Sequence, residues 1–234
     1  INMSTLGKIQ DLRQQITYNA AENGDHVWLV SPETDLEITF REAAERVELI
    51  AANLKAFGLN QGDRVAIASQ NCIGCCLTFM GIIYGGFVAV PLNLVAGTKT
   101  IRYIVNHSEA KLIFVADHCS KDINDALQGI SKDIRCVPLQ YEAGPNWNEV
   151  VLNSDIGHTG ANLTADAIGL LMYTSGTTGN PKGVMLNHAN LLAAGRFISS
   201  GHTITQHDRG LCILPIFHIN GLCVTVMGST VSSS

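Results

Sequence analysis

A chain of 234 residues, 46% of them hydrophobic and 15% charged, carries enough apolar material to bury the core of one large or two modest domains. Fifteen Lys and Arg against 20 Asp and Glu give a net charge of −5, and no Lys/Arg-rich run supplies the positive surface that a nucleic-acid backbone requires, so no nucleic-acid partner is expected. Seven cysteines at irregular positions fit reduced thiols and a cytoplasmic setting better than a secreted disulfide framework.

In chain order, Leu6, Ile9, Leu12, Ile16 and Ala20 recur at helical spacing and predict an amphipathic first helix. The N-terminus lacks a basic start followed by an apolar core segment, because Lys8, Asp11 and Arg13 interrupt it, so no secretory signal is read there. Residues 27–30 and 36–38 flank a turn-like segment and read as two strands. Thr39 and Glu42 then make a capping box, in which hydroxyl and carboxylate each satisfy a free backbone amide. The helix that follows is expected to reach Phe57, with Gly58 as its left-handed stop.

Beyond Gly58 short apolar strands alternate with helices. Strands are expected at 65–68, 88–90, 112–116 and 134–137, and helices at 73–84, 100–106 and 121–127. Such alternation implies a layered α/β/α fold around a mostly parallel sheet covered on both faces. No formal charge occurs between Arg64 and Lys99, a stretch long enough to raise a membrane span. Gly85, Gly86, Pro91 and Asn93 divide it into a helix and a short strand, so a buried core is expected and no integral span. Cys72, Cys75 and Cys76 form a CxxCC cluster inside this stretch; without a second Cys/His pair at zinc-site spacing it reads as small buried side chains.

Residues 142–166 are rich in Gly, Asn, Asp and Thr and read as a connection with one short helix at 147–152. They mark the expected division into a first α/β subdomain at 1–160 and the start of a second at 161–234. The second should hold strands at 168–173, 184–186 and 211–214 and a helix at 188–199. His188 is read as an anchor of the second of these strands rather than as a catalytic group.

The segment 174–183 packs four hydroxyls, three glycines and Lys182 directly behind an apolar strand. Thr174, Ser175, Thr177 and Thr178 can donate around a polyphosphate, Gly176 and Gly179 admit it to the backbone, and Lys182 neutralises its charge. Walker A spacing fails, because Pro181 stands five positions after Gly176 and Val184 five after Gly179. No GxGxxG opens a helix in the first βα unit either. The bland alternative is a polar hairpin that happens to be rich in hydroxyls.

Tyr173 to Gly183, YTSGTTGNPKG, followed by VMLNH, resembles the phosphate-binding signature of the adenylate-forming superfamily of acyl-CoA synthetases, luciferases and peptide-synthetase adenylation domains. LPIFHING at 214–221 resembles the aromatic motif that follows it in acyl- and aryl-CoA synthetases, and weaker landmarks extend over 39–117. The resemblance implies ligation of a carboxylic acid to CoA in two steps, with ATP, Mg²⁺ and CoA as cofactors or co-substrates and an acyl-AMP between them.

It further implies that Thr174, Ser175, Thr177, Thr178 and Lys182 hold the β- and γ-phosphates, with Gly176 and Gly179 giving backbone access and Thr174 near the metal. His218 would line the acyl site as the catalytic candidate, and Gly221 would keep a helix start open beside the substrate. Amino-acid-activating relatives place an Asp where His218 stands, so a small-molecule carboxylic acid without the amino group is the implied substrate. The adenine loop, acidic magnesium contact, ribose-binding aspartate and catalytic lysine of the family do not follow within Ser234, so the chain is expected to lack the C-terminal domain and to be inactive alone. Acyl transfer to a carrier protein, or a non-catalytic nucleotide-binding module of this fold, are the alternatives, and a homodimer is compatible with either.

Overall fold

The computed structural model describes residues 9–130, 134–147, 163–174 and 180–234. Helix α1 (Leu12–Glu22) begins where the Asp11 carboxylate accepts the Gln14 amide at 2.9 Å, so the expected helix is shorter at its start, and Leu6 lies outside the described residues. Strands β1 (Val27–Ser31) and β2 (Leu36–Thr39) form an antiparallel hairpin, and Trp28 stacks on Phe40 with centroids 5.4 Å apart. Helix α2 (Phe40–Ala56) opens on the capping box: Thr39 Oγ1 accepts the Glu42 amide at 3.2 Å, and Glu42 Oε2 accepts the Thr39 amide at 2.8 Å. Gly58 stops the chain at φ +86°, a conformation that costs a residue without Cβ little.

The βα alternation follows as β3 (Arg64–Ala68), α3 (Ile73–Tyr84), β4 (Val88–Pro91), α4 (Thr98–Ser108), β5 (Leu112–Ala116), α5 (Ser120–Leu127) and β6 (Arg135–Gln140). Among the described residues, two-residue β7 (Gly144–Pro145) and the hairpin β8 (Ile168–Thr174) and β9 (Lys182–Asn187) complete a seven-stranded sheet of order β7-β6-β5-β3-β4-β8-β9. The five inner strands are parallel and the two edge strands antiparallel, so the fold is α/β with a mostly parallel sheet.

Strand order also fixes the layers. The step from β3 to β4 runs one way along the sheet and the step from β4 to β5 runs back past β3, so right-handed crossovers put α3 on one face and α4 with α5 on the other. Accordingly α3 packs against α1 and α2, while α4 packs against α5. Residues 73–83 of α3 are all buried, which explains the uncharged stretch as helix between sheet and helices. No helix of the described residues is long and apolar enough to cross a membrane. Gly81 permits the α2–α3 approach, since a Cβ there would lie 2.6 Å from Ile50.

Helix α6 (His188–Gly201) packs against an eight-residue π-helix (Asn220–Met227) that runs into α7 (Gly228–Ser232). Two sequence expectations fare differently here. The short helix at 147–152 falls mostly outside the described residues, and Trp147 itself is irregular, packed edge-on against Phe114 at 5.5 Å. The strand at 211–214 is not formed: the segment is irregular, with Leu211 and Ile213 exposed. Its backbone is held by a side chain instead, because Asn71 Nδ2 donates to the carbonyls of Cys212 at 3.0 Å and Leu214 at 2.8 Å.

Candidate functional site

Leu170 and Met172 of β8 face the core, so alternation turns Leu171 and Tyr173 to the other face and leaves Thr174 exposed at the strand end. The last two register pairs of the β8–β9 hairpin are Tyr173 with Gly183 and Thr174 with Lys182. Thr174 Oγ1 donates to the Lys182 carbonyl at 3.5 Å, so the two candidate residues stand side by side at the mouth of the turn. Lys182 is exposed and makes no ion pair among the described residues. Ser175, Gly176, Thr177, Thr178 and Gly179 lie outside the described residues.

The mouth is braced from below. A Cβ on Gly183 would lie 2.9 Å from Leu171 and 3.4 Å from the Tyr173 ring, so the ring lies over bare backbone. The Tyr173 hydroxyl meets Nδ1 of His107 on α4 at 2.8 Å. His107 in turn stacks on Tyr103, four residues earlier on the same helix, with centroids 5.2 Å apart. Burial pushes the Tyr173 phenol up to about 12, with Tyr103 adding and Arg64 opposing, so the hydroxyl is protonated at neutral pH.

The second cluster is a compact turn at 215–222. The His218 amide donates to the Pro215 carbonyl at 2.9 Å, and the Leu222 amide to the His218 carbonyl at 3.1 Å. Gly221 is required by space: its Cβ would lie 2.4 Å from the Pro215 oxygen and 2.5 Å from that of Leu214. Asn71, in the loop behind β3, accepts the Ile216 amide at 2.9 Å through Oδ1 while its amide nitrogen donates to Cys212 and Leu214. The His218 ring is exposed beside Phe217, with centroids 4.7 Å apart. Thus the structure brings Thr174 to Lys182 and His218 to Gly221, and among the described residues no hydrogen bond, ion pair or ring contact joins the two clusters.

A cleft of about 580 Å³ lies between the β1–β2 hairpin, the start of α3 and residues 209–216. Thr174, Lys182 and His218 do not line it. Among the described residues no three His, Cys, Asp or Glu side chains come together to hold a metal ion. The CxxCC cluster is structural: Cys72 Sγ caps α3 by accepting the Cys75 amide at 3.2 Å, and burial raises the Cys75 and Cys76 thiols well above their ordinary range.

A family profile described as AMP-binding enzyme matches residues 16–234. The chain belongs to this family. Among curated relatives, the chain is 34% identical to sulfoacetate–CoA ligase of Cupriavidus necator over 219 residues, which cover 92% of this chain and 42% of the relative. It is 28% identical to long-chain-fatty-acid–CoA ligase FadD13 of Mycobacterium tuberculosis over 200 residues, covering 86% of this chain and 39% of the relative. The inhibitor-bound N-terminal domain of FACL13 from Mycobacterium tuberculosis superposes with a TM-score of 0.84 at 26% identity, over 96% of this chain and 56% of that one. The chain thus spans about two fifths of the length of these curated CoA ligases.

In this fold three positions go beyond the sequence reading. His107 meets Tyr173 across 66 residues, and Asn71 meets Ile216 across 145; neither has a local pattern that signals its partner. His188 is buried in the first turn of α6, where its Nδ1 accepts the Leu12 amide, so it anchors α1 as well as following β9.

Proposed function

We propose that this chain carries the nucleotide-gripping part of an AMP-forming carboxylate–CoA ligase, acting in the cytoplasm on a small organic acid without an amino group. The observation that carries the reading is the β8–β9 hairpin, which sets the Thr174 hydroxyl beside the Lys182 backbone at the mouth of the hydroxyl- and glycine-rich turn. It does so in a chain whose relatives are CoA ligases.

In the first step the carboxylate oxygen attacks the α-phosphorus of ATP and pyrophosphate leaves. Donors that meet the departing charge lower the barrier, because they need no reorganisation as it develops. Lys182 supplies a mobile ammonium for this, and Thr174 a hydroxyl; Ser175, Gly176, Thr177, Thr178 and Gly179 are proposed to complete the grip. A magnesium ion, when bound, would neutralise phosphate charge. Thr174 would offer it one hard oxygen.

His218, exposed next to Gly221, is proposed to border the acyl group. A histidine there offers no fixed negative charge to an ammonium, which supports a non-amino acid, as does the kind of acid named for the sulfoacetate relative. CoA is proposed as acceptor in the second step. Because relatives run to more than twice this span, we propose that turnover needs further polypeptide.

The test is carboxylate-dependent ATP–pyrophosphate exchange by the longest polypeptide that the gene encodes, against acids from acetate and sulfoacetate to long-chain fatty acids and benzoates. Exchange with one class, abolished in Lys182→Ala, supports the reading and names the acid. Absence of exchange with every acid counts against it and favours a non-catalytic nucleotide-binding module.

A further inference from the structure

The hairpin end that carries Thr174 and Lys182 has few local means of holding its shape. β8 pairs with its parallel neighbour β4 at a single register position, Ala89 with Leu170, four residues before Thr174. Among the described residues β9 is an edge strand whose Val184 and Met185 are exposed, so beyond Leu170 the two strands have chiefly each other. A two-stranded ribbon without a third strand is only marginally stable. Lys182 and Thr174 therefore need support from outside the sheet.

That support comes from α4. Tyr173 stands directly before Thr174, and its ring lies across Gly183, directly after Lys182. One side chain thus spans both strands at their last pair. Its hydroxyl is held by His107 Nδ1 at 2.8 Å, the two rings meet edge-to-face at 5.7 Å, and Tyr103 backs the imidazole at 5.2 Å. Helix α4 is fixed in the core by Ile101, Ile104 and Val105, all buried. His107 therefore stands on a rigid element and reaches the mouth through one hydrogen bond.

We propose that His107 is a positioning residue for nucleotide binding: through Tyr173 it sets the separation and direction of Thr174 and Lys182, without itself touching the nucleotide. This inference rests on the reading of the 174–182 turn as a phosphate grip. Only the nucleotide side is predicted to depend on His107, because the turn bearing His218 is held independently by Asn71.

The experiment is a double-mutant cycle on the longest polypeptide that the gene encodes, with His107→Ala, Tyr173→Phe and the pair. Magnesium-ATP affinity is measured by equilibrium dialysis, and the KM of the best acid by pyrophosphate exchange. Each single variant is expected to weaken ATP about three- to tenfold, in line with loss of one hydrogen bond, and the pair no more than either alone. The KM of the acid stays unchanged. His107→Asn, whose amide sits where Nδ1 sits, restores most of the affinity. Should His107→Ala fail to fold, Tyr173→Phe keeps the ring over Gly183 and carries the same comparison with His107→Asn.

Losses that multiply in the pair, an acid KM that moves with the ATP affinity, or unchanged ATP affinity in both single variants would each overturn the proposal. Wild-type protein that binds ATP but exchanges with no acid refutes the ligase reading alone, since the cycle is still read in the affinities. Wild-type protein that binds no ATP refutes both.

Discussion

The backbone amide of Leu12 donates to Nδ1 of His188 at 3.1 Å, tying the first turn of α1 to the first turn of α6 across 176 residues. Burial holds the imidazole below its usual range; the nearby Asp11 carboxylate opposes the shift and Arg13 reinforces it. A proton on Nδ1 would remove the acceptor and bury a cation at the positive end of α1. The folded state thus binds this proton less tightly than the unfolded chain does. Its contribution to stability is complete above the unfolded value of about 6.5 and is lost as pH falls from there through the depressed folded value. Melting temperature should drop on acidification below about pH 6.5, and His188→Asn, which retains an acceptor that does not titrate, should flatten the curve over that window. Parallel curves for the two proteins would refute the assignment.

Lys182→Ala removes an exposed side chain that makes no ion pair among the described residues, so thermal stability should be unchanged. ATP affinity, in contrast, should fall about 10- to 100-fold, the range for one charge-assisted contact. Calorimetric titration with magnesium-ATP reads the second quantity, and a melt the first.

Gly221→Ala would drive a methyl group to within 2.5 Å of two carbonyl oxygens. Neither is the free end of a flexible chain, so the turn must open, at a cost of about 1–3 kcal/mol. Gly201→Ala is the control, because nothing lies within 4 Å of its added Cβ. Urea unfolding of the pair should separate them by that margin.

Asn71→Ala deprives the 212–216 segment of two donors and one acceptor at once. About 1–3 kcal/mol of stability should be lost, and the KM for the acid should rise while ATP affinity holds. Asn71→Asp keeps the shape but cannot donate, so it should recover only part of the loss.

Regular elements were legible because their residues repeat at the periods that strands and helices impose. Helix α3 matches the expected 73–84 at both ends, since Gly85 and the strand after it punctuate an otherwise apolar run. The 211–214 segment shows the limit of such reasoning: Leu211, Ile213 and Leu214 have strand composition, yet Asn71 satisfies carbonyls that a ladder would otherwise take. The residue types of the hydroxyl-rich turn are what suggested a phosphate grip. Its bracing by His107 was not legible, because one hydrogen bond across 66 positions leaves no trace in local composition.

Helix α3 also gives the protein a built-in chemical clock. Cys75 and Cys76 are 4% and 5% exposed, with thiols that burial keeps protonated, whereas Cys136 is exposed on β6. Cys76 borders the cleft at the start of α3, so a thiol reagent reaches Cys75 only when the structure around α3 opens, while Cys136 can react in the closed molecule. The ratio of Cys75 to Cys136 modification therefore measures how often that region opens.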